Sequence, residues 1–178
     1  MEKHQEELLN KGFVLLTGEI KEENIKEAIE KILYLNNKDD IKSIELIVNS
    51  VGGSVSHSFS LIDIMMTSKK PVNTIGIGDI CSAGLNIFIS GAERRISETA
   101  SILAHQYAWG NSGQKYHELV GRRTEEELVN ERILALYKKQ TKKSIKFIKA
   151  KLLRETDTWL SAKEAVLYGL ADKIIKSF

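Results

Sequence analysis

Two side chains able to attack a carbonyl, Cys81 and Ser82, stand side by side in the run GIGDICSAGLNIFISG over 76–91. A strand-like segment precedes them and an apolar, helix-like segment follows. A serine at such a junction lies where unpaired backbone N–H groups and the positive end of a helix can stabilise a developing oxyanion. The same position is also a common place for a plain helix cap. Cys81 is the rival nucleophile, but strand alternation points it and Ser82 in different directions, and a cysteine among small residues more often packs than reacts. Two familiar patterns are excluded. The nucleophile elbow G-x-S-x-G fails because Ile80 holds its first glycine position, and the dinucleotide pattern G-x-G-x-x-G fails because Cys81 holds its last.

A serine nucleophile needs a base, and the chain has four histidines. His4 belongs to the charged leader, His57 to an amphipathic stretch and His117 to the start of a long polar run. His105 differs from these, ending the apolar segment SILAHQ, where a core-facing imidazole requires a partner. A third group, a carboxylate, should orient the imidazole. Asp39, Asp40, Asp63, Asp79, Asp157 and Asp172 all qualify, and spacing does not choose among them. The turn Gly52-Gly53-Ser54 could aim a backbone N–H at an oxyanion, although a tight strand-to-helix loop has the same composition. The stretch AWGNSGQ over 108–114 reads either as a solvated loop or as an edge that pairs with an extended peptide.

The elements that must position these groups follow from periodicity. GFVLLTG (12–18), SIELIVNS (43–50) and VNTIGIG (72–78) read as strands, with RRIS (94–97) and ASILAHQYA (100–108) as further strand. EENIKEAIEKILYLNN (22–37) carries Ile25, Ala28, Ile29, Ile32, Leu33 and Leu35 at helical spacing. SVSHSFSLIDIMMTSKK (54–70) repeats the pattern through Val55, Phe59, Ile62 and Met66, with Ser54 as its cap, and 82–90 is a third helix. Strands alternating with helices predict parallel βαβ units with right-handed crossovers. Beyond them, 114–140 is a long polar helix bearing Leu119, Val120, Leu128, Val129, Ile133, Leu136 and Tyr137, followed by the helix SIKFIKAKLLRE (144–155). Ser161 and Glu164 make a capping box for a short helix that Gly169 ends, and DKII is a final strand. The expectation is one α/β domain over 1–178 with a helical arm.

Composition narrows the function classes. The 178 residues are 42% hydrophobic and 28% charged, as in an ordinary globular protein. A net charge of +2, from 26 basic and 24 acidic residues, is too even to argue for nucleic acid or an anionic membrane. One cysteine cannot form an internal disulfide, so a reducing, cytoplasmic setting is expected. The charged N-terminus does not read as a signal peptide. The run 75–92 has the length of a short membrane span but is broken by Asp79, Asn86 and four glycines.

Four segments together resemble the proteolytic subunit of the Clp protease (ClpP). VNSVGGSV is similar to the family's I-N-S-P-G-G-S-V, and IGIGDICSAG to its nucleophile segment, usually A-S-M-G at the serine. ILAHQYAWG is similar to M-I-H-Q-P-x-G, and DTWLSAKEAVLYGLADKII to D-x-F-L-S-A-x-E-A-x-x-Y-G-L-x-D-x-I. Residue by residue, the resemblance implies Ser82 as nucleophile, His105 as general base and then acid, and Asp157 as the orienting carboxylate. It implies the backbone N–H groups of Gly53 and Ala83 as oxyanion donors. The reaction implied is acyl transfer from a peptide bond through an acyl-enzyme, with no cofactor and no metal.

The fold implied is a crotonase-like spiral of βαβ units, with 114–140 as a protruding handle and 108–114 as the substrate-pairing edge. Seven-membered rings, possibly two stacked, would enclose unfolded polypeptide or peptide substrates. Val51 stands in place of the turn proline, Tyr107 in place of the proline after His-Gln, and Ala83 where methionine is usual. Only about a dozen residues precede the first strand, where the family carries an axial segment. That argues against pairing with a Clp-type ATPase and for a divergent member. Two other readings share the fold: a catalytically silent ring subunit, and a crotonase-type acyl-CoA enzyme, against which Ser82 and His105 argue.

Overall fold

Alternating burial along residues 44–52 puts Ile44, Leu46 and Val48 into the core and builds the central strand of the sheet. A computed structural model describes residues 3–107 and 116–176, with the backbone alone for 116–122. Strand β1 (Phe13–Ile20) pairs in parallel with β2 (Ile44–Gly53), and β2 with β3 (Val72–Cys81). β4 (Arg94–Ser97) follows, and the order ends on the last strand, β7 (Lys173–Ile175), again all parallel. The described residues thus form a mixed α/β fold with a parallel-rich, seven-stranded sheet and seven helices.

Strand β3 forks, and the fork decides where the chemistry can sit. Its residues 74–76 pair with β4, whereas 79–81 pair with β5 (Ser101–Ala104). β5 in turn pairs antiparallel with β6 (Thr158–Ser161), joining Ala104 to Thr158 and Leu103 to Trp159. Periodicity predicts no strand at 158–161, and it predicts the preceding strand to run through His105 to 108. The strand stops at Ala104 because its pairing with β6 ends at Thr158 and its pairing with β3 ends at Cys81. Beyond those points no described ladder continues it.

Helix α1 (Lys3–Asn10) occupies the charged leader and buries Leu9. In α2 (Glu22–Leu35) Ile25, Ala28, Ile32 and Leu35 of the expected stripe are buried and the helix packs on β1, Ile29 is half-buried, and Leu33 is exposed, on the flank of the stripe. α3 (Val55–Thr67) is capped by Ser54, whose side chain accepts from the His57 N–H, but its buried face differs from the expected one. Leu61, Ile62 and Met65 are inside and Met66 is exposed, while Val55 and Phe59 are half-buried and turn toward a cleft. The short α4 (Ala83–Phe88) is buried throughout.

The long helix α5 (Tyr116–Thr141) buries Ile133, Leu136 and Tyr137 near its C-terminal end and leaves Leu128 exposed. The side chains of Leu119, Val120 and His117, like the whole of 108–114, lie outside the described residues. α6 (Ile145–Lys151) and α7 (Ala162–Tyr168) complete the chain, and α7 carries the Ser161/Glu164 capping box and ends on Gly169.

Arg94 ties three of these parts together. Its guanidinium donates to both Asp172 carboxylate oxygens, to the Gln140 carbonyl near the end of α5 and to the Gly169 carbonyl after α7. Burial alone would raise the Asp172 carboxyl, but the Arg94 hydrogen bonds and charge outweigh it and hold the carboxyl below its usual range. A carboxyl depressed in the fold contributes stability above its unfolded pKa of about 3.9, lost as pH falls through the lower folded value. Asp172→Asn is therefore expected to flatten that acid limb and to lower stability at neutral pH by about 1–2 kcal/mol. The loss stays below that for a buried pair because water screens the 40% exposed Asp172 side chain. Urea unfolding at pH 7 and pH 3 checks both; equal losses at the two pH values would refute the linkage.

Candidate active site

Parallel pairing delivers the ends of β2, β3 and β5 to the same edge of the sheet, the edge at which α/β folds collect their ligands. Ser82 follows β3, and its N–H donates to the Leu103 carbonyl of β5 at 2.9 Å. His105 follows β5 by one residue. Since β6 runs antiparallel to β5, its start also arrives at this edge, and Asp157 immediately precedes Thr158, the partner of Ala104.

Ser82 has φ 53° and ψ −121°, a conformation that a non-glycine residue adopts only when its surroundings enforce it. Enforcement comes from the small residues on either side. A Cβ on Gly52 (φ +97°) would lie 2.6 Å from the Ser82 Cβ, and a Cβ on Gly84 would lie 2.8 Å from the Ser50 Cβ. Ser50 anchors the turn, donating from its hydroxyl to the Gly18 carbonyl at 2.6 Å and accepting from the Gly52 N–H at 3.1 Å. Ser82 stands at the cap position of α4 yet makes no side-chain cap hydrogen bond, so its hydroxyl is not spent on the helix. The first helical bond runs from the Asn86 N–H to the Ser82 carbonyl, which leaves the Ala83 N–H without an intrahelical partner.

Ser82, His105 and Gly53 line one cleft of about 650 Å³, walled on the far side by α5. Phe59 of α3 and Val129 and Ile133 of α5 give it apolar sides, while Arg132 and Glu125 of α5 add charge. His105 is half-buried, and its Nδ1 meets the Gln106 carbonyl. Gln106 is held by its own side-chain amide, which donates to the Leu153 carbonyl at 3.2 Å. Asp157 is exposed, does not line the cleft and has no hydrogen bond or ion pair among the described residues. The fold thus brings Ser82, His105 and Gly53 together and sets Asp157 on the neighbouring strand end, without joining it to His105. Ala83 is fully buried behind Ser82. Val51, at the position of the turn proline, is exposed.

Cys81 is buried, and burial, followed by the charge of Asp79, pushes its thiol up, away from the reactive thiolate. Of the remaining histidines, His4 lies on α1 and His57 on α3, and neither lines the cleft. Several cleft residues carry no site signal in the sequence, among them the polar Asn86 and Tyr137. Asn86 was noted only as a polar break in an apolar run, and Tyr137 only as one of the apolar positions of a helix. A polar residue inside the otherwise apolar LNIFI was the available signal for the first.

A parallel-rich α/β sheet that presents a strained serine and a histidine from adjacent strand ends to one cleft defines a class, the α/β proteins with a serine at a strand-to-helix corner. Within that class the chain belongs to the Clp protease family, whose family model, described as Clp protease, matches residues 1–178. The ATP-dependent Clp protease proteolytic subunit of Streptococcus mutans is 32% identical over 173 residues, spanning 96% of this chain and 87% of that protein. The subunit of the same name from Pleurastrum terricola is 28% identical over 169 residues, spanning 94% and 85%. Among the described residues no helix is long and apolar enough to cross a membrane.

Proposed function

We propose that the protein is a Clp-type serine endopeptidase, a single domain that cleaves polypeptide or peptide substrates inside a ring of its own copies. The observation that carries this reading is Ser82, a strained serine with an uncommitted hydroxyl facing a cleft it shares with His105. In the reaction, Ser82 Oγ adds to the scissile carbonyl while His105 takes its proton. The N–H groups of Gly53 and Ala83 hold the oxyanion. His105 then passes the proton to the leaving amine, the C–N bond breaks and an acyl-enzyme remains. Water, deprotonated by His105, attacks that ester and returns the hydrogen to Ser82. Asp157 accepts from His105 Nδ1–H and stabilises the imidazolium, which requires its side chain to turn toward the strand end it neighbours.

The exposed middle of α5 supports a handle between rings. The crotonase-like spiral, the seven-membered ring and the substrate-pairing edge at 108–114 belong to the same proposal. Both relatives' names carry ATP dependence, so stimulation by a Clp-type ATPase is the measurement to make on the assembled protein. Labelling with a fluorophosphonate tests the nucleophile. Wild type and Cys81→Ala should label and Ser82→Ala should not; labelling that persists in Ser82→Ala would reject the assignment. One observation favours the silent-subunit reading, the lack of contact between Asp157 and His105, and an assembled ring that takes no label would establish it. A protein that stays monomeric at micromolar concentration would remove the ring.

A further inference from the structure

The cleft holds two polar side chains without a partner among the described residues. Asn86 is 4% exposed and Tyr137 is 1% exposed, and both line the cleft that contains Ser82. Among the described residues the Asn86 carboxamide and the Tyr137 hydroxyl have no hydrogen-bond partner. Asn86 bonds Ser82 and Ser90 through its main chain only, and Tyr137 accepts from Thr141 at its main-chain carbonyl. Neither group is sealed off, for the sealed and unpartnered side-chain atoms among the described residues are Arg95 Nε and Thr158 Oγ1. Both therefore open onto the cleft. An unmatched buried carboxamide or hydroxyl is destabilising, and folded proteins hold few of them. Burial pushes the Tyr137 phenol above its ordinary range, so it stays a neutral donor.

We propose that Asn86 and Tyr137 form the base of the subsite for the substrate side chain on the acyl side of the cleaved bond, and that this subsite selects glutamine or asparagine. The proposal rests on the peptidase reading. Asn86 lies one turn beyond Ser82, about 6 Å along the helix, comparable with the reach of an extended glutamine side chain whose carbonyl is at Ser82. The apolar stem lies against Phe59, Val129 and Ile133. The carboxamide oxygen at its tip accepts from the Tyr137 hydroxyl or the Asn86 NH2, and its own NH2 donates to the Asn86 oxygen. Methionine has similar length and leaves both floor groups unpaired. Glutamate has the same shape, but Arg132, the Lys or Arg side chain on the lining, is exposed and not part of the floor.

Acetyl tripeptide aminomethylcoumarins differing only in the last residue (Gln, Asn, Met or Glu) test this on the full-length assembled protein. The expected wild-type kcat/KM for glutamine is at least about tenfold above that for methionine, because a site built for hydrogen bonds rejects an analogue that lacks them. Asn86→Leu and Tyr137→Phe should each lower the Gln:Met ratio by about fivefold or more. The ratio within one preparation does not depend on the fraction folded. Methionine equal to or above glutamine in wild type, or a ratio unmoved in both variants, overturns the proposal, as does a preference for glutamate. Fluorophosphonate labelling of Ser82 without a glutamine preference, including labelling with no cleavage at all, overturns this inference alone. No labelling and no cleavage overturns the peptidase reading and this inference with it.

Discussion

Replacing Ser82 with alanine is expected to lower kcat/KM on peptides by at least about 10⁴-fold, the scale on which triads fail when the nucleophile is removed. Stability should not fall with it. A serine serving as a helix cap contributes about 0.5–2 kcal/mol that alanine loses, but the Ser82 hydroxyl makes no cap hydrogen bond. Its backbone, at φ 53°, is a liability that alanine shares. Glycine does not share it. A residue held in this region costs about 1–3 kcal/mol, and glycine's extra chain entropy returns about 0.5–1 kcal/mol of that. Ser82→Gly should therefore be as inactive as Ser82→Ala and more stable by about 1 kcal/mol, or about 2–4 °C in Tm for a domain of this size. Activity assays and thermal unfolding of the two variants check both halves. A Ser82→Ala variant that loses stability and keeps activity would return Ser82 to a capping role.

The parts of this fold legible in the sequence are those whose signals are local. The Ser161/Glu164 capping box and the Gly169 stop needed only neighbours along the chain, and the structure has both, with Gly169 at φ 80°. The stripe of α2 is equally plain except at Leu33, which is exposed. The short strand β6 was not, because four residues around Trp159 gain their strand character only from pairing with β5, more than fifty positions away. Phe59 shows another limit. Periodicity gave α3 one apolar face, but the helix has two apolar neighbours, the core and the cleft, and a pattern of hydrophobicity does not divide residues between them. At the site, the glycine turn, the serine corner and the histidine were each visible as types. What put them in one cleft is the fork of β3, which no local pattern announces. Asn86 and Tyr137 are hidden for the opposite reason: Asn86 reads as a polar break in an apolar run and Tyr137 as one more apolar position of a polar helix, and only the cleft shows their polar ends.

The position of Asp157 sets the second large effect. In the structure the His105 Nδ1 faces the Gln106 carbonyl, an acceptor that fixes the same tautomer a carboxylate would, with the proton on Nδ1 and the lone pair on Nε2. A carbonyl is neutral, however, and would do little for the imidazolium that the proposed reaction forms when His105 takes the serine proton. A carboxylate at the same nitrogen opposes that charge directly, and within a substrate-filled cleft the attraction is far stronger than in water. Asparagine at 157 removes the charge and offers an N–H that can turn the ring to the wrong tautomer. Asp157→Asn is thus expected to lower kcat by about 10³–10⁴-fold in the assembled protein. Because Asp157 is exposed and has no hydrogen bond or ion pair among the described residues, the same change should leave unfolding unaltered. A loss of activity alone, with sizing unchanged, would show that the carboxylate acts on His105 during turnover. A loss smaller than about tenfold would mean that the Gln106 carbonyl suffices and that the working site is a serine–histidine pair.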